Sequence, residues 1–387
     1  MKRPNKALAN EKGMVLVISL LILSLLIGVG VGAMVSMQTD LRTSANLKTG
    51  TQAFYLAEAG IEWGKQQVKK DAANPPNPAG GTQKLSPGAF MVSFLSPIKK
   101  TNLVATVIIR STGNVGGSSH TIQALVTKTY KLSDGAVGIR GSEAKARFIG
   151  DSFLVDGRDY DPVTGALVPG ASAEVGISVP NKTLEERLKG ALSGKQQDSV
   201  TGRGGAIPNV AQSDFLSSDE MSQLVNDLCS APEAVVERVP PEGTLSVSGN
   251  TTWGTRTSPQ LRCIHGLASG GDTVGIEGPS SGVGLLVVRD SDLVIRGDFH
   301  WEGLIIVSGT NVGFRVEGGG NKEIFGSVMI NENGSDSGPG KEEVKLEGAI
   351  KIRYSSSSLR RAVETLESIY SSLPSTIMQN YWRTENP

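Results

Sequence analysis

The first forty residues of the chain carry its clearest hydrophobic pattern. No charged side chain occurs between residues 13 and 39, and the run at 14–35 is almost wholly apolar. At a rise of about 1.5 Å per residue, about twenty apolar residues span the hydrocarbon core of a bilayer, which is roughly 30 Å thick. The pattern predicts one helix through the inner membrane, with everything after about residue 40 in the periplasm. The orientation follows from the basic leader, because cations favour the cytoplasmic side, and these cations are Lys2, Arg3, Lys6 and Lys12.

Three interpretations of this segment compete. A cleaved secretory signal has an apolar region of about 7–15 residues followed by a small-x-small site. The run here is longer, and Gly28, Gly30 and Gly32 lie inside it. A plain signal anchor explains the hydropathy. The third interpretation rests on Gly13, which ends the charged leader immediately before the apolar run.

An apolar stripe continues beyond the membrane segment. Proline is absent from residues 14–68, so one helix at 14–70 is predicted to run from the membrane into the exported part. Its stripe is expected to pack against the rest of the protein, since apolar residues recur at helical spacings: Leu41, Ala45, Phe54, Ala57, Ile61 and Val68.

The junction at Gly13 resembles a type IV prepilin leader, which prepilin peptidase cuts after the glycine before methylating the new N-terminus, here Met14. Residues 53–64, AFYLAEAGIEWG, are similar to the Ala-x-x-x-Ala-Glu-Ala-Gly stretch of the PilX N-terminal family of minor pilins. The resemblance covers about residues 12–70.

The fifth residue after the junction departs from the pattern of major pilins. It is usually a glutamate that neutralises the terminal amine of a neighbouring subunit, and here it is Ile18. Its absence is similar to PilX-type proteins and to the tip pseudopilin GspK, and it implies a subunit that caps or initiates a fibre. The implied partners are prepilin peptidase, other minor and major pilins and a PilY-type tip adhesin, with final display on a cell-surface pilus.

After the helix, the pattern changes to strands. Residues 71–88 are rich in Pro, Gly and Asn and are predicted to form a loop. Strand-like runs follow at 89–95, 103–111 and 120–130, and a glycine-rich turn makes the last two a predicted β-hairpin. A pilin-like antiparallel sheet is therefore expected at 71–131.

Residues 132–358 contain short strands punctuated by glycine. Segments of similar pattern recur about every twenty residues, each with two short strands, which is typical of coils of a β-helix or of a rolled β-sandwich. Each segment is expected to begin with a glycine before an apolar strand, at Gly284, Gly303, Gly326 and Gly348. The predicted fold class is α+β, with a mostly-β, solenoid-like domain after the pilin-like sheet.

Helical patterns accompany this β-domain. Those at 183–192 and 213–229 predict a helical lobe at about 180–235, inserted between the first and later β-coils. The stripe at 359–373 predicts a C-terminal helix that covers an end or face of the β-domain, within a helix-and-tail unit at 359–387. Its apolar positions are Leu359, Val363, Leu366 and Ile369 or Tyr370.

Composition and motifs argue against catalysis and nucleic-acid binding. The chain has 38 basic and 38 acidic residues. This balance disfavours nucleic-acid binding, because a nucleic-acid-binding protein needs a basic surface to neutralise phosphates. The three histidines, His120, His265 and His300, are too widely spaced to suggest a compact site. The glycine-rich segment TGRGGAIPN lacks the Lys-Ser/Thr pair that would bind a phosphate. We therefore predict a non-enzymatic protein without a cofactor. Some β-helices are carbohydrate lyases, so the fold class alone leaves an enzyme open.

Two weak cation sites and one disulfide are candidates. Asp156, Asp159 and Asp161 offer oxygen ligands for Ca²⁺, but Arg158 competes for them and the spacing lacks the D-x-D-x-D-G order. The Asn331, Asn333 and Asp336 run has oxygen side chains too, but Asn-Gly indicates a turn first. In the oxidising periplasm Cys229 and Cys263 are expected to form a disulfide, with two separate buried thiols as the alternative.

These patterns favour a minor pilin or pilus assembly protein at or near the tip of a type IV pilus, serving assembly or adhesion. One alternative is a GspK-like minor pseudopilin of a type II secretion system, although its insert is typically helix-rich. Another is a membrane-anchored surface protein with a carbohydrate-binding β-solenoid, whose leader would stay uncut. Motility, adhesion and DNA uptake all remain open as roles of the fibre.

Overall fold

A computed structural model describes residues 8–70, 82–101, 104–141, 144–267, 271–334, 343–363 and 375–385. It confirms the α+β class, with a long apolar N-terminal helix before a mostly-β region. The helices are α1 Leu8–Lys70, α2 Lys182–Ala191, α3 Ser218–Ser230 and α4 Ser356–Val363. The strands, in chain order, are β1 Thr82–Leu85, β2 Gly88–Thr101, β3 Val104–Val115, β4 Ser118–Tyr130, β5 Gly135–Ile139, β6 Ala146–Ile149, β7 Leu154–Asp156, β8 Val175–Val179, β9 Val200–Thr201, β10 Val210–Gln212, β11 Ala234–Arg238, β12 Thr244–Val247, β13 Thr251–Trp253, β14 Gln260–His265, β15 Thr273–Ile276, β16 Ser280–Arg289, β17 Asp292–Ile295, β18 Phe299–Gly309, β19 Phe314–Val316, β20 Lys322–Glu332, β21 Val344–Glu347, β22 Ile350–Arg353 and β23 Ser375–Glu385.

The chain divides into two compact units. The first comprises Met1–Ile98, Val107–Val126 and Gln379–Pro387, and the second comprises Lys99–Thr106 and Thr127–Met378. In the first unit α1 packs its C-terminal half on a five-stranded sheet of order β1-β2-β3-β4-β23. β3 and β4 form the predicted hairpin, and Gly116 and Gly117 adopt positive φ in its turn, a conformation that glycine tolerates best.

Two expectations for this sheet were wrong. The predicted loop at 71–88 contains the edge strand β1 at its end, while residues 71–81 lie outside the described part. Within the expected C-terminal helix and tail at 359–387, Leu359 and Val363 lie on α4 and are buried as predicted, but the tail forms the strand β23, which lies beside β4. The residue types of β23 include β-branched and aromatic side chains that favour strands, and its backbone covers the otherwise unpaired edge of β4. Leu366, Ile369 and Tyr370 lie outside the described residues.

The second unit is built from two parallel sheets. One has twelve strands: eight follow the path β10-β8-β5-β20-β18-β16-β14-β11, and β7, β9, β13 and β22 lie off it. The other has six strands in the order β12-β15-β17-β19-β21-β6. Successive repeats pair in register, so that Leu285, Leu304 and Ser327 lie side by side. Their apolar neighbours form the core: Leu286, Val288, Ile305, Val307, Val328 and Ile330 are fully buried.

Spatial order differs from chain order in this unit. β5, the first strand of the unit's large sheet, lies between β8 and the much later β20. The chain therefore begins the sheet with a central strand, β5. The next strands extend the sheet to its β10 edge, and the later strands run from the β11 edge back to β20, beside β5. The helical lobe at about 180–235 does not separate the first coil from the later ones, because β5 and β20 pair directly. That region also contributes β9 and β10 to the sheet.

The repeat glycines lie inside the strands rather than before them. Gly284, Gly303 and Gly326 are direct neighbours in β16, β18 and β20, and their φ angles are 136°, 135° and 144°. A Cβ on Gly303 would overlap the carbonyl oxygen of Gly284, and one on Gly326 would overlap that of Gly303. Only Gly348 occupies the expected turn position, between β21 and β22. The apolar half of each strand was recognised in the sequence, but its polar first half was not.

Candidate assembly surface

The N-terminal half of α1 presents an apolar surface on every side. The helix is long and apolar enough to cross a membrane, and its most apolar window is fully exposed. Large side chains from Met14 to Met37 are 49–76% exposed, and Ile18 is among them at 49%. Gly13 also lies inside α1. Such a surface is stable in a lipid bilayer or against other apolar helices, but not in water.

The C-terminal half of α1 is packed through small residues. Ala53 and Ala57 are fully buried, and Gly60 and Gly64 follow at helical spacing on the same face. A Cβ on Gly60 would overlap the Ser111 hydroxyl, and one on Gly64 would come within 2.7 Å of an Ile109 methyl group. The stretch at 53–64 therefore lets the helix backbone lie close to β3, which a larger side chain would prevent.

A shallow groove of about 570 Å³ lies between the exposed and packed halves, against one face of α1. Its lining includes Leu47 and Tyr55, which are more than 60% exposed, and Phe54. His120 and Trp382 contact the Phe54 ring edge-on at centroid distances of 5.2 and 5.8 Å. Sequence reasoning did not assign His120 and Trp382 to this surface, because they come from β4 and from the distant β23.

The three candidate Ca²⁺ ligands bind protein donors instead. Asp156 accepts hydrogen bonds from Arg158 at 2.6–3.0 Å and from the Tyr160 hydroxyl at 2.7 Å. Burial raises the pKa of Asp156, but the hydrogen bonds from Arg158, Tyr160 and Thr201 together outweigh it and the pKa is lowered overall. Asp159 accepts from the Ser356 amide and hydroxyl, and Asp161 from the Val163 amide.

No group of three or more metal-binding side chains occurs in the described ranges. The carboxylates at 156–161 therefore organise their own loop. In the second weak run, the Asn331 carboxamide bonds to Ser218 and Ser222 of α3, while Asp336 lies outside the described residues.

The two cysteines are joined in the structure. Cys229, in the last turn of α3, forms a disulfide with Cys263 of β14, and their Cα atoms are 5.6 Å apart. Both residues are buried. The bond therefore links α3 to β14 of the large sheet.

Glu302 is the centre of a cluster of charged side chains in the second unit. Its carboxylate is buried and accepts hydrogen bonds from Arg256 at 2.5–2.9 Å, from Arg361 at 3.2 Å and from His300 at 3.3 Å. Burial raises the pKa of Glu302, but the hydrogen bonds from His300 and Arg256 outweigh it and lower the pKa to about 2. Arg256 also donates to the Pro162 carbonyl. The cluster joins the loop at 157–174 and α4 to β18.

Comparisons with known proteins identify the N-terminal segment. Residues 12–62 match the model of the PilX N-terminal family, as the sequence resemblance predicted. Among solved structures, the competence-associated pilin ComZ from Thermus thermophilus aligns with 13% identity and a TM-score of 0.27, over 87% of this chain and 98% of that one. A score this low supports no conclusion about fold or function. No curated protein matches the chain.

Proposed function

We propose that this protein is a minor pilin-type subunit that acts by assembly and display rather than by catalysis. Prepilin peptidase cuts after Gly13 and methylates Met14, and the subunit then enters a type IV pilus at or near its tip. The observation that carries this proposal is the form of α1, whose exposed apolar half continues without a break into a half packed on an antiparallel sheet. This helix contains the segment similar to the PilX N-terminal family.

The apolar half of α1 explains how the subunit is stored and assembled. Before assembly it lies in the inner membrane, where its exposed side chains are solvated by lipid. On assembly the same surface packs against helices of other minor and major pilins. Ile18 lies on this surface and has no charge to offer a neighbouring amine. The subunit is therefore favoured at an end of the fibre rather than along it.

The β-rich second unit is the displayed part of the molecule. Its two parallel sheets share a large buried core, and a disulfide adds a covalent link. This construction suits a domain exposed outside the cell. By the PilX resemblance, the partners of the displayed unit are other minor pilins and a PilY-type tip adhesin.

The mature N-terminus tests the proposal. Mass spectrometry of protein purified from hosts with and without prepilin peptidase is expected to show a chain beginning at methylated Met14 only when the peptidase is present. Gly13→Leu is expected to leave the leader intact. Gly28→Ala is the matched control in the same helix, because its new methyl group meets no atom within 4 Å. An intact leader in both hosts would refute the pilin proposal and favour an anchored surface protein.

Fractionation separates the pilus from a secretion-system fibre. Ile18 is equally compatible with a GspK-like pseudopilin, so cleavage alone does not distinguish the two. A pilus subunit is expected to be present in sheared, purified pili, and its deletion is expected to prevent piliation. A pseudopilin would stay with the envelope, and its loss would stop export through the type II system without affecting pili.

A further inference from the structure

A polar groove of about 290 Å³ crosses the beginnings of neighbouring strands in the second unit. Successive repeats place equivalent residues side by side there. One row precedes the strands and consists of Asn250, Pro279, Asp298 and Asn321, all exposed. The second row lies two residues further along the strands, and consists of Thr252, Ser281, His300 and Glu323. Adjacent strands are about 4.8 Å apart, and every member of the two rows except Pro279 carries a polar side chain.

The groove offers donors and acceptors that the described part of the protein leaves unused. Hydrogen bonds to the carboxamides of Asn250 and Asn321 are absent among the described residues. Asp298 uses one oxygen to accept the Asn321 amide at 2.6 Å, and Glu323 uses one to bind Arg353 at 2.7 Å. The second oxygen of each carboxylate has no described partner. Ser280, in the groove wall, is 5% exposed, and its hydroxyl has no partner among the described residues.

His300 is held in a fixed orientation at the middle of the groove. Its ring is 41% exposed, its Nε2 lies 3.3 Å from Glu302, and the ring lies 5.8 Å from that of Phe325. Glu302 is in turn fixed by Arg256 and Arg361. A supported side chain of this kind binds a ligand with little loss of conformational entropy.

The chemistry of the groove excludes several ligand classes. An anion would be repelled by Asp298 and Glu323. A resident metal ion is disfavoured because the described residues contain no group of three metal-binding side chains. A lipid or an apolar peptide would desolvate these polar groups without replacing their hydrogen bonds. A peptide strand would need a free sheet edge, whereas Ser281, His300 and Glu323 lie within β16, β18 and β20, each of which is paired on both sides at these positions.

We propose that this groove binds an uncharged oligosaccharide. Adjacent hydroxyl groups of a sugar both donate and accept hydrogen bonds, and the groove offers carboxylate acceptors together with carboxamide and hydroxyl groups that do both. The proposal goes beyond assembly into a fibre and does not depend on it, because the groove is complete within one chain. It gives the displayed unit a ligand class.

Direct binding to the full-length, unassembled protein tests the proposal. The protein is solubilised in lauryldimethylamine oxide, a detergent without a sugar headgroup, and titrated calorimetrically with cellohexaose, maltohexaose and chitohexaose. Saturable binding of at least one oligosaccharide is expected. Ser281→Tyr should abolish it by filling the groove, and Asn321→Ala should weaken it at least about tenfold through lost hydrogen bonds. The matched control is Ser172→Tyr, at an exposed position outside the groove, which should bind as wild type does.

Two results would overturn the proposal. One is the absence of saturable binding for all three oligosaccharides. The other is equal binding by wild type, Ser281→Tyr and Asn321→Ala, which would place any sugar elsewhere. Thermal melting shows whether each variant is folded. If Ser281→Tyr is unfolded, the binding measured for Asn321→Ala decides the test. Since the measurement needs neither leader cleavage nor pili, its outcome is independent of the N-terminal mass test.

Discussion

The hydroxyl groups of Ser133 and Ser327 lie 2.6 Å apart in the buried interior of the second unit, although 194 residues separate them in the chain. Ser327 also donates to the Gly135 carbonyl at 2.7 Å. These bonds accompany the pairing of β5 with β20, where the first repeat meets a late one. They therefore help to close the large sheet between strands that are far apart in the sequence.

Replacement of Ser327 should weaken this closure. Ser327→Ala removes the hydroxyl without adding volume, and with it the hydrogen bonds to Ser133 and to the Gly135 carbonyl. Ser133 keeps its own bond to the Gly135 carbonyl. A hydrogen bond is worth about 0.5–1.5 kcal/mol net, so the free energy of unfolding should fall by about 1–2 kcal/mol. Urea unfolding in detergent, followed by fluorescence of the buried Trp253 and Trp301, measures it. Ser172→Ala, at an exposed position, should be neutral, and equal stabilities of the two variants would contradict the prediction.

The glycine row through the large sheet should tolerate no side chain. Gly303→Ala forces a methyl group into the Gly284 carbonyl at a φ of 135°, so we expect a loss of at least about 3 kcal/mol or failure to fold. Gly190→Ala is the matched control: it lies in α2 with no atom near its new methyl group, and should be neutral or stabilising by up to about 1 kcal/mol. Soluble yield and melting temperature report both. A wild-type melting temperature for Gly303→Ala would show that the backbone relaxes there.

Glu302 should make the second unit sensitive to acid. Its pKa in the folded protein is about 2, below the ordinary value of 4.5. Its stabilisation is therefore complete above the unfolded-state pKa and is lost as the pH falls from about 4.5 towards 2. At about 1.4 kcal/mol per pKa unit, the loss totals about 3 kcal/mol.

The variant Glu302→Gln isolates this contribution. It should be less stable at pH 7, because Arg256 and Arg361 lose their counter-charge, and its stability should fall less between pH 5 and pH 2.5. Urea unfolding across this range provides the comparison. Glu186→Gln, at an exposed ion pair of α2, should keep the wild-type pH dependence. If Glu302→Gln also keeps it, another group is responsible.

The disulfide should contribute to stability through the unfolded state. Cys229 and Cys263 are 34 residues apart, and closing such a loop lowers the entropy of the unfolded chain by an amount worth about 3–4 kcal/mol. The double variant Cys229→Ala/Cys263→Ala should lose about that much, and reduced wild type should behave similarly. Mass spectrometry after alkylation without reductant should show no modified cysteine. Alkylation of both residues would mean that the thiols are separate.

Ile18→Glu should change where the subunit is used, if the proposed function is right. The new carboxylate could neutralise the amine of a neighbouring subunit, so more copies per pilus are expected. Quantitative mass spectrometry of sheared pili measures this number relative to the major pilin. Ile22→Glu, also exposed on α1, is the control for added charge alone. If Ile18→Glu leaves the number of copies per pilus unchanged, or if both variants change it equally, then residue 18 does not determine where the subunit lies in the fibre.

Local chemistry was sufficient to predict the long helix, one hairpin and the candidate disulfide partners. The apolar run at 14–35 and the absence of proline to residue 68 specify a long helix without reference to any distant residue. The hairpin of β3 and β4 follows from strand-like runs around a glycine turn. The disulfide partners were identifiable because the chain contains only two cysteines.

Tertiary structure alone decided which repeats are neighbours. The repeats share one hydrophobic pattern, so pairing β5 with β20 or with the next repeat satisfies that pattern equally well, and long-range contacts such as Ser133 to Ser327 select between them. The same holds for β23, whose place beside β4 depends on an open sheet edge more than two hundred residues earlier. The polar groove was also hidden, because its rows form only when successive strands stack in register. Local sequence determines the elements through short-range sterics and hydropathy, whereas their neighbours are decided by packing between residues far apart in the chain.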